Sequence, residues 1–308
     1  MLPEKPWKSD AVLRLFVSVL CCWVFIGSLG GSLLESIEGL PGVHFIPVLL
    51  SVIGGLLLLL GLVVVLDRPW PLDAFPRNAL ILLVCFNGTV LLSSQAARWS
   101  GSAEQVEPST TRVLASLLSV QFISLVLVRR FIAAHGLRWN TAFEFRWDWK
   151  RALWLGSLLA LLFLPLGWGL QLGSVTVMEQ FHLEPREQEA VELLRGPEAL
   201  VSRCVLGAAA ILTAPVVEEM LFRGILYPAI RRAGFPRLAW WGSAVAFGAI
   251  HMNLATFVPL TALALLLTWL YESTGSLLAP IAAHSVFNAM NFALVWMQQS
   301  RLSPGGSG

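Results

Sequence analysis

Apolar residues in this chain come in long blocks separated by short polar breaks. The clearest blocks run Ala11–Leu34, His44–Leu66, Asn78–Ser94, Val113–Val128, Ala152–Val175, Leu200–Val217, Ala239–Ile250, Thr256–Tyr271 and Leu277–Met297. A hydrocarbon core about 30 Å thick asks for about 20 apolar residues of helix, and most of these blocks approach or exceed that length. The pattern predicts an all-α polytopic membrane protein, a bundle of about eight transmembrane helices. Ala239–Ile250 is short for a crossing and is expected to continue through polar residues that face the protein interior.

Composition strengthens that reading. Of 308 residues, 56% are hydrophobic and 13% charged, which argues against a soluble globular domain. Net charge is +2 with no long basic stripe, so no nucleic-acid partner is expected. The placement of charge says more than its sum. Lys5 and Lys8 precede the first block, Arg68 and Arg77 follow the second, and Arg129, Arg130, Arg138, Arg146, Lys150 and Arg151 follow the fourth. The intervening connections are poor in basic residues, or acidic from Glu179 to Glu198. This alternation places the N-terminus in the cytoplasm, and the arginine-rich, lysine-poor basic content suggests a prokaryotic cytoplasmic membrane. Cys21, Cys22, Cys85 and Cys204 all fall within predicted spans and are read as small core residues.

No internal repeat divides the chain. Residues 1–175 form transmembrane helices without an assigned role, in which Asn87 and Gln121 suit helix-to-helix hydrogen bonds. Residues 176–199 are an acidic surface segment. Within it Pro185 can open a short helix, with Glu187 in its first turn, Arg195 in its last and Gly196 as a stop. Val191, Leu193 and Leu194 give that helix an apolar side suited to the membrane surface. Residues 200–298 form the core that carries the chemistry, with a polar cavity in the C-terminal half, and 299–308 are a flexible tail.

Three apolar segments of that core contain groups that a bilayer penalises. A charge at mid-bilayer costs about 2.5 to 3.5 kcal/mol on insertion scales, so it persists where it has partners or water. In LTAPVVEEMLFRGILYP, Glu219 and Arg223 are four apart on one helical face and can pair, while Glu218 points about 100° away and stays free to handle protons. In FGAIHMN, Phe247 and His251 share a face, and in SLLAPIAAHSVFNAMN so do His284 and Asn288. Each motif singly has an ordinary structural reading, as an ion pair or an interhelical hydrogen bond. Together, between residues 218 and 288, they supply a base, two imidazoles and an amide donor, the groups that add water to a peptide carbonyl.

The combination EExxxR at Glu218, Glu219 and Arg223, FxxxH at Phe247 and His251, and HxxxN at His284 and Asn288 resembles the CAAX protease and bacteriocin-processing (CPBP) family of intramembrane endopeptidases. The resemblance covers residues 200–298 and implies that Glu218, assisted by His251, activates a water, while His284 and Asn288 stabilise the oxyanion; spacing alone leaves either His251 or His284 as the helper of the base. Glu219, Arg223 and Phe247 would support them. It implies a membrane-associated peptide or protein as substrate, lipid-modified or not, among membrane lipids. Members have been termed metalloproteases. An HExxH helix is absent here, so the donors open to zinc are Glu218, His251 and His284, and metal-free glutamate catalysis without a cofactor is preferred. The alternatives are a catalytically idle scaffold or immunity protein of the same family, and a proton-coupled transporter, which repeat symmetry would have favoured.

Overall fold

The structure is a computed structural model and describes residues 5–20, 22–23, 110–143, 148–185, 191, 194 and 200–302. The expected spans His44–Leu66 and Asn78–Ser94, with Asn87 and Cys85, lie outside the described residues, as do Glu187, Leu193, Arg195 and Gly196. The described part of the first block is helical over residues 9–20, termed α1. There follow α2 (Thr110–Ala134), α3 (Trp139–Phe143), α4 (Trp149–Gln180), α5 (Leu200–Arg232), α6 (Pro236–Ile250), α7 (Leu254–Thr274) and α8 (Leu278–Leu302). No strand occurs among the described residues. Among the described residues five stretches are long and apolar enough to cross a bilayer: Leu117–Ala134, Trp149–Gln180, Leu200–Arg232, Leu254–Thr274 and Leu278–Gln298. The protein is therefore an all-α, multi-pass membrane protein.

Two elements depart from expectation. The block Ala239–Ile250 does not continue into a crossing. α6 has 15 residues, about 22 Å at 1.5 Å per residue, and stops at Ile250. The cause is local: Met252 takes a left-handed φ of +50°, and the Asn253 side chain accepts from the Thr256 N–H at 3.1 Å to start α7. Conversely, α5 does not end at Val217 but runs 33 residues to Arg232, carrying its charges through the interior because they are paired there. Cys204, expected in the core, is exposed on α5.

Packing falls into two compact units, residues 8–131 and a second made of Met1–Trp7 with Ile132–Gly308. α4 lies inside the second unit. Its core joins Ala152, Ala160, Phe163 and Leu164 of α4 to Leu263, Leu267 and Leu270 of α7 and to Ala279, Ala283 and Phe287 of α8. Small residues allow this closeness, as is usual between helices in lipid. A Cβ on Gly156 would stand 2.3 Å from the Ala279 carbonyl oxygen, and one on Gly248 would stand 2.4 Å from Thr261 Oγ1. α7 closes on Gly275 in a left-handed conformation, φ +68°, which turns the chain directly into α8. α4, α7 and α8 thus form a wall from which α8 presents His284 and Asn288, while α5 and α6 present the other motif residues.

Candidate active site

α5 is not a uniform helix. It turns π-helical over Ala209–Thr213 and again over Met220–Leu226, and the second stretch begins immediately after Glu219. Each π stretch ends two residues before a proline, Pro215 and Pro228, whose missing N–H removes a rung of the α-helical ladder. Widening to i→i+5 bonds is one way a membrane helix re-satisfies its backbone around proline, and such bulges recur at functional sites. The two prolines were the sequence signal for this feature, which spacing rules based on 3.6 residues per turn pass over.

Glu219 and Arg223 are paired as the four-residue spacing predicts, and both are buried. Arg223 Nη1 donates to Glu219 Oε1 at 2.9 Å, with side-chain exposures of 2% and 0%. The rest of the guanidinium is also occupied. Nη2 donates to the Ala264 carbonyl at 2.8 Å and Nε to Thr268 Oγ1 at 3.4 Å, both on α7, and the cation stands 4.8 Å from the Phe247 ring centre. Arg223 therefore ties α5 to α7 and α6 while neutralising Glu219.

His284 joins both carboxylates. Its Nδ1 stands 3.0 Å from Glu219 Oε1, and its Nε2 stands 3.8 Å from Glu218 Oε2. A carboxylate oxygen accepts, so Nδ1 donates to Glu219, and in the neutral ring Nε2 is left as an acceptor on the side of Glu218. At 3.8 Å those two groups are too far apart for a direct hydrogen bond. Glu218 is the more accessible carboxylate, 15% exposed against 0% for Glu219. The Oε2 atoms of both carboxylates are buried without a hydrogen-bond partner among the described residues.

His251 sits one residue past α6, where its Nδ1 approaches the Phe247 carbonyl oxygen at 2.8 Å. A carbonyl only accepts, so here too the proton is on Nδ1 and Nε2 is left as an acceptor in the neutral ring. Phe247 stands between the imidazoles, 5.1 Å from His251 and 5.6 Å from His284, and is fully buried. Asn288 lies one turn beyond His284, and its Nδ2 donates to the Ala210 carbonyl in the first π stretch at 2.9 Å. One amide hydrogen thus anchors α8 to α5, leaving the second for other use. Of the residues singled out from sequence, Glu218, Glu219, Arg223, His284 and Phe247 form one contact cluster. His251 joins it through Phe247, and Asn288 borders it.

A zinc centre needs three protein ligands at about 2 Å. Among the described residues no three His, Cys, Asp or Glu side chains stand close enough to hold a metal ion.

A surface cleft of about 240 Å³ is bordered by Met178, Leu183 and Glu184 along and after α4 and by Met252 to Ala255 leading into α7. Met252 is 92% exposed there.

The fold and this cluster define a class: a multi-pass membrane protein with a buried carboxylate–imidazole–guanidinium centre. Residues 200–290 match the family model described as Rce1-like, type II CAAX prenyl endopeptidase, so this region is Rce1-like as the motifs implied. Members of that family are normally proteases, and the match supports a CPBP-type intramembrane peptidase at family level. YpbD of Bacillus subtilis (strain 168), an uncharacterized protein, is 34% identical over 77 residues, 24% of this chain and 36% of YpbD. The UPF0177 protein YxdF of Lactococcus lactis subsp. lactis (strain IL1403) is 24% identical over 168 residues, 54% of this chain and 89% of YxdF. No solved structure matches the chain.

Proposed function

We propose that this protein is an intramembrane endopeptidase that hydrolyses a peptide bond of a membrane-associated protein or peptide with a water activated by Glu218. One observation carries the reading: Glu218 Oε2 faces His284 Nε2 across 3.8 Å, backed by the Glu219–Arg223 pair. Two acceptors at that separation suit a water that donates a hydrogen to each. Glu218 takes its proton as the oxygen attacks the carbonyl carbon, and the carboxyl then returns that proton to the leaving amine.

In this reading the partners differ from those that the resemblance implies. His284, held in tautomer by Glu219, is the imidazole beside Glu218 and the one placed to orient the water. His251 and the second Asn288 hydrogen stand at the border of the cluster, where they can face the carbonyl oxygen as negative charge develops. Substrate would approach by the cleft at Met252 and Leu183, from the membrane surface or from lipid.

Charge supports an N-terminus in the cytoplasm of a bacterial cell. Lys150 and Arg151 open α4, and Arg231, Arg232 and Arg237 lie where α5 hands over to α6. If α4 and α5 each cross once, these two basic groups emerge on the same face, as the positive-inside rule requires.

The test is reconstitution of the full chain in liposomes with single-span model peptides, with and without a prenyl group, and mass spectrometry of new termini. Cleavage by the wild type that vanishes in Glu218→Gln supports the reading. A wild type inert toward every peptide, or a Glu218→Gln variant that cuts as fast, contradicts it.

A further inference from the structure

Residues 5–7 pack with the helices that carry the site, although the residues after them belong to the other compact unit. Trp7 is 3% exposed, and its indole Nε1 donates to the Gly224 carbonyl oxygen at 3.1 Å, across 217 positions of sequence. Its ring meets His135 edge-on at 5.2 Å. Two turns further along α5, Arg232 Nη1 donates to the Lys5 carbonyl. The N-terminal strap is therefore held at two points on the helix that bears Glu218 and Glu219.

A carbonyl inside a helix ordinarily accepts from the N–H four residues on. For Gly224 that residue is Pro228, which has no N–H. Gly224 lies where the ladder runs to the fifth residue, and the indole adds a side-chain donor to its carbonyl there; a buried indole N–H, with no acceptor capacity of its own, requires such a partner. Glycine is needed at 224 because a Cβ there would stand 2.6 Å from the Phe143 ring. Gly224 directly follows Arg223 and shares its π-helical stretch, Met220–Leu226.

We propose that Trp7 is a positioning residue: by bonding the Gly224 carbonyl it pins the π-helical turn of α5, so that Arg223 holds Glu219 and His284 in register with Glu218. Its effect on turnover rests on the peptidase reading, whereas the pinning itself does not. Removing the donor lets the turn fluctuate and loosens the Glu219–His284 contact, so turnover falls while substrate binding is spared.

Three full-length chains in liposomes test this: the wild type, Trp7→Phe, and Trp7→Phe with Pro228→Ala, which returns an N–H to the ladder. Hydrogen exchange of amides 220–227 is read by mass spectrometry, and kcat and KM are read on a cleaved model peptide. Trp7→Phe should speed exchange in 220–227 about fivefold, the worth of one hydrogen bond, with α4 unchanged. It should lower kcat about fivefold at constant KM, and Pro228→Ala should restore both. Unchanged exchange in 220–227, faster exchange throughout the bundle, or a raised KM with kcat intact would overturn the proposal. A wild type that cleaves nothing sinks the peptidase reading and the turnover half of this one, and the exchange comparison still decides the pinning.

Discussion

α5 carries two clusters in which a carboxylate meets an arginine, and they differ in what is left over. Near its end, Glu272 of α7 is saturated: Oε1 accepts from the Tyr227 hydroxyl and from Arg231 Nη1, and Oε2 accepts from Trp240 Nε1 at 3.0 Å. This cluster joins α5, α6 and α7 and sits half-exposed, with Glu272 24% accessible. Deeper in the same helix, Glu219 and Glu218 each keep a buried oxygen without a donor among the described residues, and His284 keeps Nε2 toward Glu218. Buried polar groups in folded proteins are nearly always satisfied. A saturated cluster is a clamp; an unsaturated one, with a proton acceptor beside it, is where water or substrate completes the set.

That contrast sets out what substitutions should do, from the largest effect to the smallest. Glu218→Gln should reduce peptide cleavage at least about a thousandfold, because it removes the proton acceptor while keeping the shape. Its unfolding temperature in detergent should stay within a few degrees of wild type, since Glu218 holds no ion pair with Arg223. Glu219→Gln should instead destabilise by about 3 to 5 kcal/mol, the cost of stranding a buried charge, and a thermal unfolding scan should show it. His251→Ala should leave unfolding nearly unchanged, the ring being half-buried at the end of α6, while cleavage falls about a hundredfold as judged by kcat. Glu272→Gln should have the least effect, about 1 kcal/mol of stability for a partly exposed pair and less than about a tenfold change in cleavage. If Glu272→Gln abolished cleavage and Glu218→Gln spared it, the distinction between clamp and reactive centre would be reversed.

Much of this was legible before any coordinates. The apolar blocks marked α4, α5, α7 and α8, and the four-residue spacings anticipated the Glu219–Arg223 ion pair and the Phe247–His251 ring contact. What stayed hidden depends on distance in sequence or on departures from the regular helix. That His284 is shared between Glu218 and Glu219 is a contact across 65 positions, and no periodicity reveals it. The end of α6 at Ile250 follows from a left-handed Met252 and an Asn253 cap, neither of which hydropathy registers. The π stretches of α5 change how many residues make a turn around the site, and only Pro215 and Pro228 hinted at them. Membership of α4 in the unit that carries the motif residues rests on Gly156 and its alanine neighbours, small residues that in a composition count look like any others.

The most direct measurement compares Glu218→Gln and Glu272→Gln side by side, in the same liposomes with the same cleaved peptide, following both product and unfolding temperature. The account predicts a well-folded, silent protein in the first case and a slightly less stable, active one in the second. Equal activities in the two variants, or a Glu218→Gln protein that is silent only because it has unfolded, would contradict it.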